Sequence, residues 1–318
     1  MAEFHSAFSD KISAFLDFHI AHGFKRKPYL SDFIKFDRWC LENHPCQSVL
    51  SRELVHEWMN ENTASRSDTA RRASVIRQFG KYLAAIGEAA YILPEKYAPI
   101  RSAAVPFLFT DTELSALFRA IDSLPSTPHE PFLNEIVPVL FRLIYTCGLR
   151  PNEGRELLVE NINVRTGEVL ITHTKRNKER LVVMSDDMTN LARNYALRRN
   201  VFATGNPYFF PSNSGGALKT ETVYSAFNRA WSVADMPEKR KMRVRVYDLR
   251  HRFASACLNR WMDQGENLMA MLPFLREYMG HNHLSETAYY IHILPENLAK
   301  SPTIDWNRFN EIFPEVEE

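Results

Sequence analysis

The stretch NVRTGEVLITHTKRNKERLVVM, residues 163–184, decides the fold class, because apolar and polar residues alternate along it. Alternation with a period of two is typical of strands that bury one face. The segments RTG and KRN are turn sequences, and they divide the stretch into three short antiparallel strands. The flanking sequence has helical spacing on both sides. We therefore predict a mostly α-helical protein with a small three-stranded antiparallel sheet.

The residues just upstream of this sheet form a helix, a turn and a second helix. PFLNEIVPVLFRLIYTCG, residues 131–148, is a long apolar helix that ends at Gly148. PNEGRELL begins the next helix, with Pro151 at a favoured first-turn position. Further upstream, TDTE at residues 110–113 has the spacing of a capping box and opens another helix.

The first hundred residues have helical spacing of their own. FSDKISAFLDFHIAHG (8–23) ends at a glycine, and YLSDFIKFDRWCLENHP (29–45) ends at a proline. The next helix places one apolar stripe on Val75, Ile76, Phe79, Leu83 and Ile86, with Arg71, Arg72 and Arg77 largely off it. A loop with three prolines follows at 92–109. We predict a helical domain at 1–98, a linker at 99–107 and a second domain at 108–318.

Composition excludes several classes of protein. The chain has 318 residues, 45% of them hydrophobic, and no apolar run long enough to cross a bilayer. Its start has no basic segment followed by an apolar one, so we expect no secretory signal and a cytoplasmic location. Cys40, Cys46, Cys147 and Cys257 are scattered without CxxC spacing. We expect buried free thiols, and no disulfide framework or metal site.

Charge is distributed unevenly although the net charge is only +1. Residues 239–252 contain seven basic residues and one acid, and further basic clusters lie at 66–81 and 175–180. The compensating acids gather elsewhere, notably in the tail EIFPEVEE. Clustered cations release condensed counterions from a phosphate backbone, so the clusters indicate nucleic acid. Each cluster taken singly is also what a solvated helix face or loop would show.

Residues suited to breaking a DNA strand lie near these clusters. The reaction needs a nucleophile, guanidinium groups for the phosphoryl oxygens and an acid for the leaving oxygen. Arg150 lies at a helix start with Glu153 three residues on, and Tyr247 precedes Arg250 by three residues on one helix face. Lys175 lies at the hairpin turn. Each is also an ordinary turn, helix or solvated residue. We find no carboxylate cluster for a two-metal site.

Two tyrosines are candidates for the nucleophile. They are adjacent in GHNHLSETAYYIHI, residues 280–293, as Tyr289 and Tyr290. With Leu284, Ala288 and Ile291 forming the apolar stripe, both phenols fall off it on opposite sides. Helical periodicity therefore does not choose between them.

The order of these motifs resembles the tyrosine recombinase family, also called phage-type integrases. GLRxxE, a hairpin lysine, xxLRHxFA and GHxxLxxTxxYxH occur in that order across residues 108–300. ARRASVIRQFGKYL is more loosely similar to a helix of the family's core-binding domain. The motif positions are Gly148, Leu149, Arg150, Glu153, Lys175, Leu249, Arg250, His251, Phe253, Ala254, Gly280, His281, Leu284, Thr287, Tyr290 and His292.

The resemblance implies a helical core-binding domain followed by a catalytic domain, and it implies roles for the motif residues. In this family the nucleophile follows the GH histidine by nine residues, which selects Tyr290 over Tyr289. Arg150 and Arg250 would bind the scissile phosphate, and His281 would hydrogen-bond one of its oxygens. Lys175 would protonate the leaving 5′ oxygen, while Tyr290 would form a 3′-phosphotyrosine bond. Glu153 and His251 would support the site, and no cofactor or metal is implied.

Two positions depart from the family pattern. Tyr247 stands where the family usually has a histidine that acts as a general base, and a phenol is a poorer base because its reference pKa is about 10. We expect Tyr247 to donate a hydrogen bond to the scissile phosphate. Arg176 stands where a glycine commonly follows the lysine, with Asn177 able to supply the turn residue. Lys178 is the second candidate for the acid.

The resemblance also implies partners. They are double-stranded DNA with inverted-repeat core sites, three further copies in a homotetramer, and accessory DNA-bending or directionality proteins at the nucleoid. The expected DNA contacts are Arg71, Arg72, Arg77, Lys241, Arg243 and Arg245. Residues 294–313 resemble the family's tail helix, which would pack on its own domain or on a neighbouring subunit. The chain resembles the short Xer-like or transposon-like members that have no arm-binding domain.

Two other functions remain open from the sequence. A type IB topoisomerase would use the same chemistry to relax DNA as a monomer. A catalytically silent regulator of the same fold would bind DNA specifically without a covalent adduct, and Tyr247 is the one hint of it.

Overall fold

Two compact units, Met1–Ala104 and Val105–Glu318, make up the chain in the computed structural model. The structure describes residues 4–23, 27–61, 66–97, 106–172, 179–236 and 242–292. Within these ranges no helix is both long and apolar enough to pass through a bilayer.

Four helices pack around an aromatic core in the first unit. They are α1 (Ser9–Ala21), α2 (Lys27–Asn43), α3 (Arg52–Asn60) and α4 (Arg66–Ala85), followed by a 3₁₀ turn at Glu95–Tyr97. Phe15 lies at the centre, with its ring centroid 5.3 Å from that of Phe33 and 5.5 Å from that of Phe79. Edge-on aromatic contacts of this kind add to the free energy gained from burial.

The apolar stripe predicted for α4 is present except at its last member. Val75, Ile76, Phe79 and Leu83 are buried. Ile86 is 54% exposed, so its assignment to the stripe was wrong. The reason is that α4 ends at Ala85, one residue before Ile86, and helical periodicity no longer sets the direction of that side chain.

The second unit contains eight helices and a sheet within its described residues. The helices are α5 (Asp111–Asp122), α6 (Leu133–Thr146), α7 (Pro151–Arg155), α8 (Asp186–Phe202), α9 (Thr220–Val233), α10 (Tyr247–Asp263), α11 (Leu268–Met279) and α12 (Leu284–His292), with a 3₁₀ turn at Val159–Asn161. The strands are β1 (Ile162–Asn163), β2 (Glu168–Ile171) and β3 (Arg180–Val183). They pair antiparallel in that order, with Val169 opposite Val182. The predicted fold class is confirmed; the KRN turn lies outside the described residues.

Helix α6 forms the centre of the main core of this unit. Its residues Val137, Leu140, Phe141 and Ile144 are buried, and the inward side chains of the sheet join the same cluster. The capping box predicted at the start of α5 is present, since Thr110 and Glu113 bond each other's backbone N–H groups.

A smaller apolar cluster joins the last three helices. Leu258 of α10, Leu272 and Met279 of α11, and Ala288 and Ile291 of α12 are all buried in it. This packing holds α12 against α10 and thereby fixes the position of the two candidate tyrosines.

The four cysteines are free, as expected, but they are not all buried. Cys40 and Cys147 are buried, Cys257 is half-buried and Cys46 is exposed. The expectation of a buried thiol was therefore wrong for Cys46, which follows Pro45 in the loop between α2 and α3. No cluster of three potential metal-ligating side chains occurs among the described residues.

Position 148, at the end of the turn after α6, requires a glycine for its backbone conformation and for the space around it. Its φ is +60°, a left-handed conformation that side chains with a Cβ rarely adopt. A Cβ added there would lie 2.4 Å from the Phe253 ring of α10. The turn and α10 therefore approach each other more closely than any other residue would allow.

We predict that Gly148→Ala destabilises the second unit by about 3 kcal/mol, since left-handed strain of roughly 1–2 kcal/mol adds to the overlap with Phe253. Gly205→Ala is the matched control, because Gly205 has a φ of +78° but open space around its Cβ position. Urea unfolding of both full-length variants would measure the difference. Equal losses of stability would contradict the close approach.

Candidate active site

Residues from five separate elements meet on one side of the second unit. Arg150 lies at the N-cap of α7, Arg180 begins β3, and Arg250 lies in the first turn of α10. His281 follows the end of α11, and Tyr290 lies on α12. These positions span 140 residues of sequence, so their contacts are a product of tertiary folding.

The Glu153 carboxylate lies at the centre of the three arginines. It accepts bonds from the backbone N–H of Arg150 (2.9 Å) and from the Arg150 guanidinium (2.7 Å). Arg180 donates to both carboxylate oxygens, at 3.1 and 2.7 Å, and Nη1 of Arg250 lies 3.9 Å away. Glu153 is 8% exposed. Burial alone would raise the pKa of this carboxyl, but Arg180 and Arg150 outweigh burial and lower the pKa to about 2.

Backbone carbonyls also hold the guanidinium groups in place by accepting hydrogen bonds from them. Arg150 donates to the carbonyl of Gly280 at 2.7 Å. Arg250 donates to the carbonyls of Gly148 and Met279, both at 2.7 Å, and Arg180 donates to that of Tyr278 at 2.8 Å. These bonds tie the turn before α7 and the strand β3 to the end of α11. Each guanidinium is thereby fixed in direction before any ligand binds.

This group carries excess positive charge in a buried place. Three guanidinium groups face one carboxylate, which leaves a net charge of +2 on these four side chains. Arg250 is fully buried, and its Nε has no hydrogen-bond partner. Burial and the neighbouring Arg150 lower the pKa of Arg250 despite the opposing effect of Tyr247, Tyr290 and Glu153. A bound anion would relieve this cost, so the site is suited to a phosphate.

Tyr290 lies inside the same site. Its side chain is 2% exposed, and its hydroxyl lies 3.1 Å from Nδ1 of His251 on α10. Its ring is nearly parallel to that of His281, at 14° and 6.0 Å between centroids. Burial raises the pKa of the Tyr290 phenol to about 12, although Arg250 opposes the shift. The phenol is therefore fully protonated at neutral pH.

The two tyrosines differ in a way that periodicity did not predict. Tyr289 is half-buried, whereas Tyr290 is buried together with Thr287, Ala288 and Ile291. The expectation that both phenols lie off the buried face was wrong for Tyr290. The reason is that α12 has partners on two sides, α10 and α11, so its buried face is wider than one stripe.

His281 is held in one orientation by Thr287, a motif residue for which no role was predicted. Nδ1 of His281 lies 2.8 Å from the Thr287 hydroxyl, and both side chains are buried. Burial, together with Arg250 and Arg150, lowers the pKa of His281 to about 3, so the ring is neutral. Its second nitrogen remains available to a ligand.

Tyr247 lies one helical turn from Arg250 and next to His251. Its ring centroid is 5.0 Å from that of His251. Burial works against the charged form of Arg150, but Glu153 and the Tyr247 phenol outweigh it and raise the pKa of Arg150. The Tyr247 side chain thus interacts with both Arg150 and His251.

Arg180 was missed by sequence reasoning, which treated the segment KRNKER as a surface cluster. A signal was present, because Arg180 and Val182 alternate along β3 and so share the inward face. Gly280 makes room for Arg180: a Cβ on that glycine, whose φ is +67°, would lie 2.9 Å from Nη1 of Arg180. Lys175, Arg176, Asn177 and Lys178 lie outside the described residues, as does the side chain of His292.

The arginines expected to contact DNA in the first unit all interact within that unit. Nη2 of Arg71 lies 3.1 Å from both Asp32 and Asp68. The Arg72 guanidinium lies 4.5 Å from the centroid of the Trp58 ring. Arg77 donates to the carbonyls of Leu93 (2.7 Å) and Pro94 (2.8 Å), so it holds the segment after α4 in place.

Of the three cations expected to contact DNA in the second unit, one is paired, one is exposed and one lies outside the described residues. Arg245 donates to the buried carboxylate of Asp248 at 2.9 Å. This hydrogen bond outweighs burial and raises the pKa of Arg245. Arg243 is exposed. Lys241 lies outside the described residues, and so do residues 293–318, on which the tail helix was predicted.

Comparison with known proteins identifies a family for most of the second unit. Residues 109–297 match the family model described as "Phage integrase family". The chain is 27% identical over 299 residues to the putative integrase/recombinase y4rE of Sinorhizobium fredii, covering 92% of this chain and 93% of that protein. It is 26% identical over 291 residues to the tyrosine recombinase XerD of Pseudomonas putida, covering 86% and 88%.

The fold is also similar to that of solved recombinases. One is the XerH site-specific recombinase bound to a palindromic difH substrate, with a TM-score of 0.64 and 19% identity over 89% of this chain and 80% of that one. Another is a dimer of lambda integrase residues 75–356 bound to a COC′ core site, with a TM-score of 0.62 and 15% identity over 88% and 94%. At these identities the likeness establishes the fold.

We predict that Glu153→Gln destabilises the second unit by about 3 kcal/mol at pH 7, because it leaves buried guanidinium groups without their counter-charge. The folded pKa of about 2 lies below the unfolded value of roughly 4.3, so this carboxylate stabilises the fold above pH 4.3 and loses that effect as pH falls towards 2. Urea unfolding at several pH values should therefore show that the difference in free energy of unfolding between variant and wild type becomes smaller as pH falls from about 4.3 towards 2.

Glu156→Gln is the control for this measurement. Glu156 is 48% exposed and pairs with Arg155 on the surface, so its change should stay within about 0.5 kcal/mol. If Glu153→Gln lost the same free energy of unfolding at pH 7 and at pH 3, the buried ion pairs of Glu153 would not be the cause of the loss.

Proposed function

The chain belongs to the phage integrase family, and we propose that it is a site-specific recombinase that cleaves and rejoins DNA through a covalent bond between Tyr290 and a 3′ phosphate. One observation carries this proposal: a buried phenol shares a site with two pre-positioned guanidinium groups and a neutral histidine. The excess positive charge there suits a phosphodiester, and the phenol supplies the nucleophile.

In the proposed complex, Arg150 and Arg250 bind the non-bridging oxygens of the scissile phosphate. Their guanidinium groups are already oriented by Glu153 and by backbone carbonyls, so little ordering is needed when DNA binds. His281 donates from its second ring nitrogen to a phosphate oxygen, because its first nitrogen is engaged by Thr287. As negative charge builds on the phosphoryl oxygens, these donors lower the barrier.

The Tyr290 oxygen attacks phosphorus in line, and the bond from phosphorus to the 5′ oxygen breaks. The departing 5′ oxygen takes a proton from Lys175, which acts as the general acid. The new phosphotyrosine ester keeps the energy of the broken linkage. A free 5′ hydroxyl from a partner strand then attacks it and reforms a DNA strand, releasing Tyr290.

Each unit would contact duplex DNA with inverted-repeat core sites. The basic segment at residues 239–245, where Arg243 is exposed, supports this contact, whereas Arg71, Arg72 and Arg77 of α4 are engaged within their own unit. We propose four copies on two sites, as strand exchange between two duplexes requires, with accessory DNA-bending proteins setting its direction. The reaction would take place in the cytoplasm at the nucleoid, where the DNA lies.

We predict that the wild-type chain forms a covalent adduct with nicked DNA taken from the flanks of its own gene. The nick lets the cleaved end diffuse away and traps the intermediate, which a denaturing gel would show as a shifted band. Tyr290→Phe should abolish the adduct because it removes the nucleophilic oxygen, whereas Tyr289→Phe should keep it.

Each other result would count against part of the proposal. An adduct that survives Tyr290→Phe but not Tyr289→Phe would place the nucleophile one residue earlier. Specific DNA binding without any adduct would favour a silent regulator, and relaxation of plasmid by monomers without site preference would favour a topoisomerase.

We predict that Lys175→Ala slows cleavage of ordinary DNA by about 10²–10⁴-fold, as expected for loss of a general acid. A substrate with sulfur at the bridging 5′ position should restore the rate, since a thiol has a pKa of about 8.5 and leaves without protonation. Lys178→Ala is the matched control and should behave like wild type on both substrates. Rescue of Lys178→Ala instead would assign the acid to that lysine.

A further inference from the structure

The proposed chemistry leaves one proton without an acceptor. Tyr290 must lose its phenolic proton to attack phosphorus, and its pKa of about 12 leaves roughly one molecule in 10⁵ ionised at pH 7. Such a nucleophile needs a base within hydrogen-bond reach. The family usually has a histidine at the position of Tyr247, and a phenol there is a weak base near neutral pH.

The surroundings of the Tyr290 hydroxyl contain a different acceptor. Nδ1 of His251 lies 3.1 Å from that oxygen, within the distance at which a proton can be transferred. His281 is stacked beside the Tyr290 ring at 6.0 Å between centroids, and its Nδ1 is engaged by Thr287. The Tyr247 ring lies 5.0 Å from that of His251 between centroids, and a phenol is a poorer proton acceptor than an imidazole.

From this contact, and resting on the proposed function, we infer that His251 is a catalytic residue that accepts the Tyr290 proton, in place of the histidine that is missing at position 247. With the ring proton on Nε2, Nδ1 of His251 accepts a hydrogen bond from the Tyr290 hydroxyl. Tyr247 is then free to donate its own hydroxyl to the phosphate.

The charge state of His251 fits this role. The groups facing it are Arg245, Tyr247 and Arg250 on its own segment, Tyr290 on α12, and His281. Burial, then Arg245 and Arg250, lower its pKa to about 4, so the ring is neutral and able to accept a proton at pH 7. A bound phosphate brings negative charge next to these arginines and raises the pKa of His251, which makes the ring a stronger base when substrate is present.

The step balances in both directions. As the Tyr290 oxygen bonds to phosphorus, its proton moves to Nδ1 of His251, and the 5′ oxygen leaves with a proton from Lys175. In rejoining, the 5′ hydroxyl returns its proton to Lys175 as it attacks the phosphotyrosine. Tyr290 then leaves and recovers its proton from His251.

The test measures the rate of adduct formation on nicked DNA by the full-length chain. His251→Ala should be slower than wild type by about 10²–10⁴-fold, as expected for loss of a general base. Added imidazole should raise the rate of His251→Ala at least tenfold, because it enters the space left by the ring and accepts the proton. His129→Gln, an exposed histidine in the loop between α5 and α6, is the matched control and should react at the wild-type rate, with or without imidazole.

His251→Gln guards against a folding defect, since it keeps a side chain that can hydrogen-bond Tyr290 but cannot take up its proton. The wild-type rate should rise with pH as His251 deprotonates and then level off, because only the neutral ring accepts a proton. The His251→Gln rate should be low and keep rising with pH, since hydroxide must then remove the proton. Tyr247→Phe should be slower yet keep the wild-type pH profile and gain nothing from imidazole.

Several outcomes would overturn the role of His251. Wild-type rates in His251→Gln would do so, as would a slow His251→Ala variant that imidazole does not restore. A levelling pH profile in His251→Gln, or imidazole rescue of Tyr247→Phe instead, would assign the base elsewhere. In all of these cases the adduct itself persists, whereas failure of the proposed function would show as no adduct in the wild type.

Discussion

The Glu153 carboxylate is the group on which the arrangement of the site depends. It binds Arg150 and Arg180 directly and lies 3.9 Å from Arg250. Burying such a group costs several kcal/mol in desolvation, and the carbonyl bonds of the three guanidinium groups offset part of that cost. One carboxylate cannot neutralise three cations, so positive charge remains where a phosphate would bind. The same imbalance that limits stability therefore prepares the site for its ligand.

This residual charge also sets the protonation of the neighbouring side chains. Burial and the arginines keep His251 and His281 neutral, while burial keeps Tyr290 protonated. Without a bound anion, the Tyr290 phenol thus keeps its proton and the two histidines carry no charge. A phosphate anion would raise the pKa of His251 and so make this ring a stronger base. In the proposed reaction, substrate binding would therefore strengthen the base that faces Tyr290 through electrostatics.

In the basic clusters, several of the cations counted in the sequence already bind other groups of the protein and are not free to contact a ligand. In α4, Arg77 is used to hold the segment that follows the helix, and Arg71 lies beside two carboxylates. Arg180 belongs to a cluster that looks like a surface loop, yet it is buried beside Glu153. Counting cations in a sequence therefore locates a basic region correctly but overestimates how many of its charges face a ligand.

The fold class and the order of the motifs could be predicted from the sequence, because alternation, helical spacing, capping boxes and Pro or Gly positions are local signals. The sequence predicted Arg150, Arg250, His281 and Tyr290 as site residues by resemblance, and the structure brings these four together. Three contacts could be found only in the fold, where Arg180 binds Glu153, Thr287 orients His281 and His251 contacts Tyr290. These contacts join residues from different elements, and packing between elements also widened the buried face of α12 beyond one stripe. Periodicity describes one element at a time, so it cannot show which side chains meet across two of them.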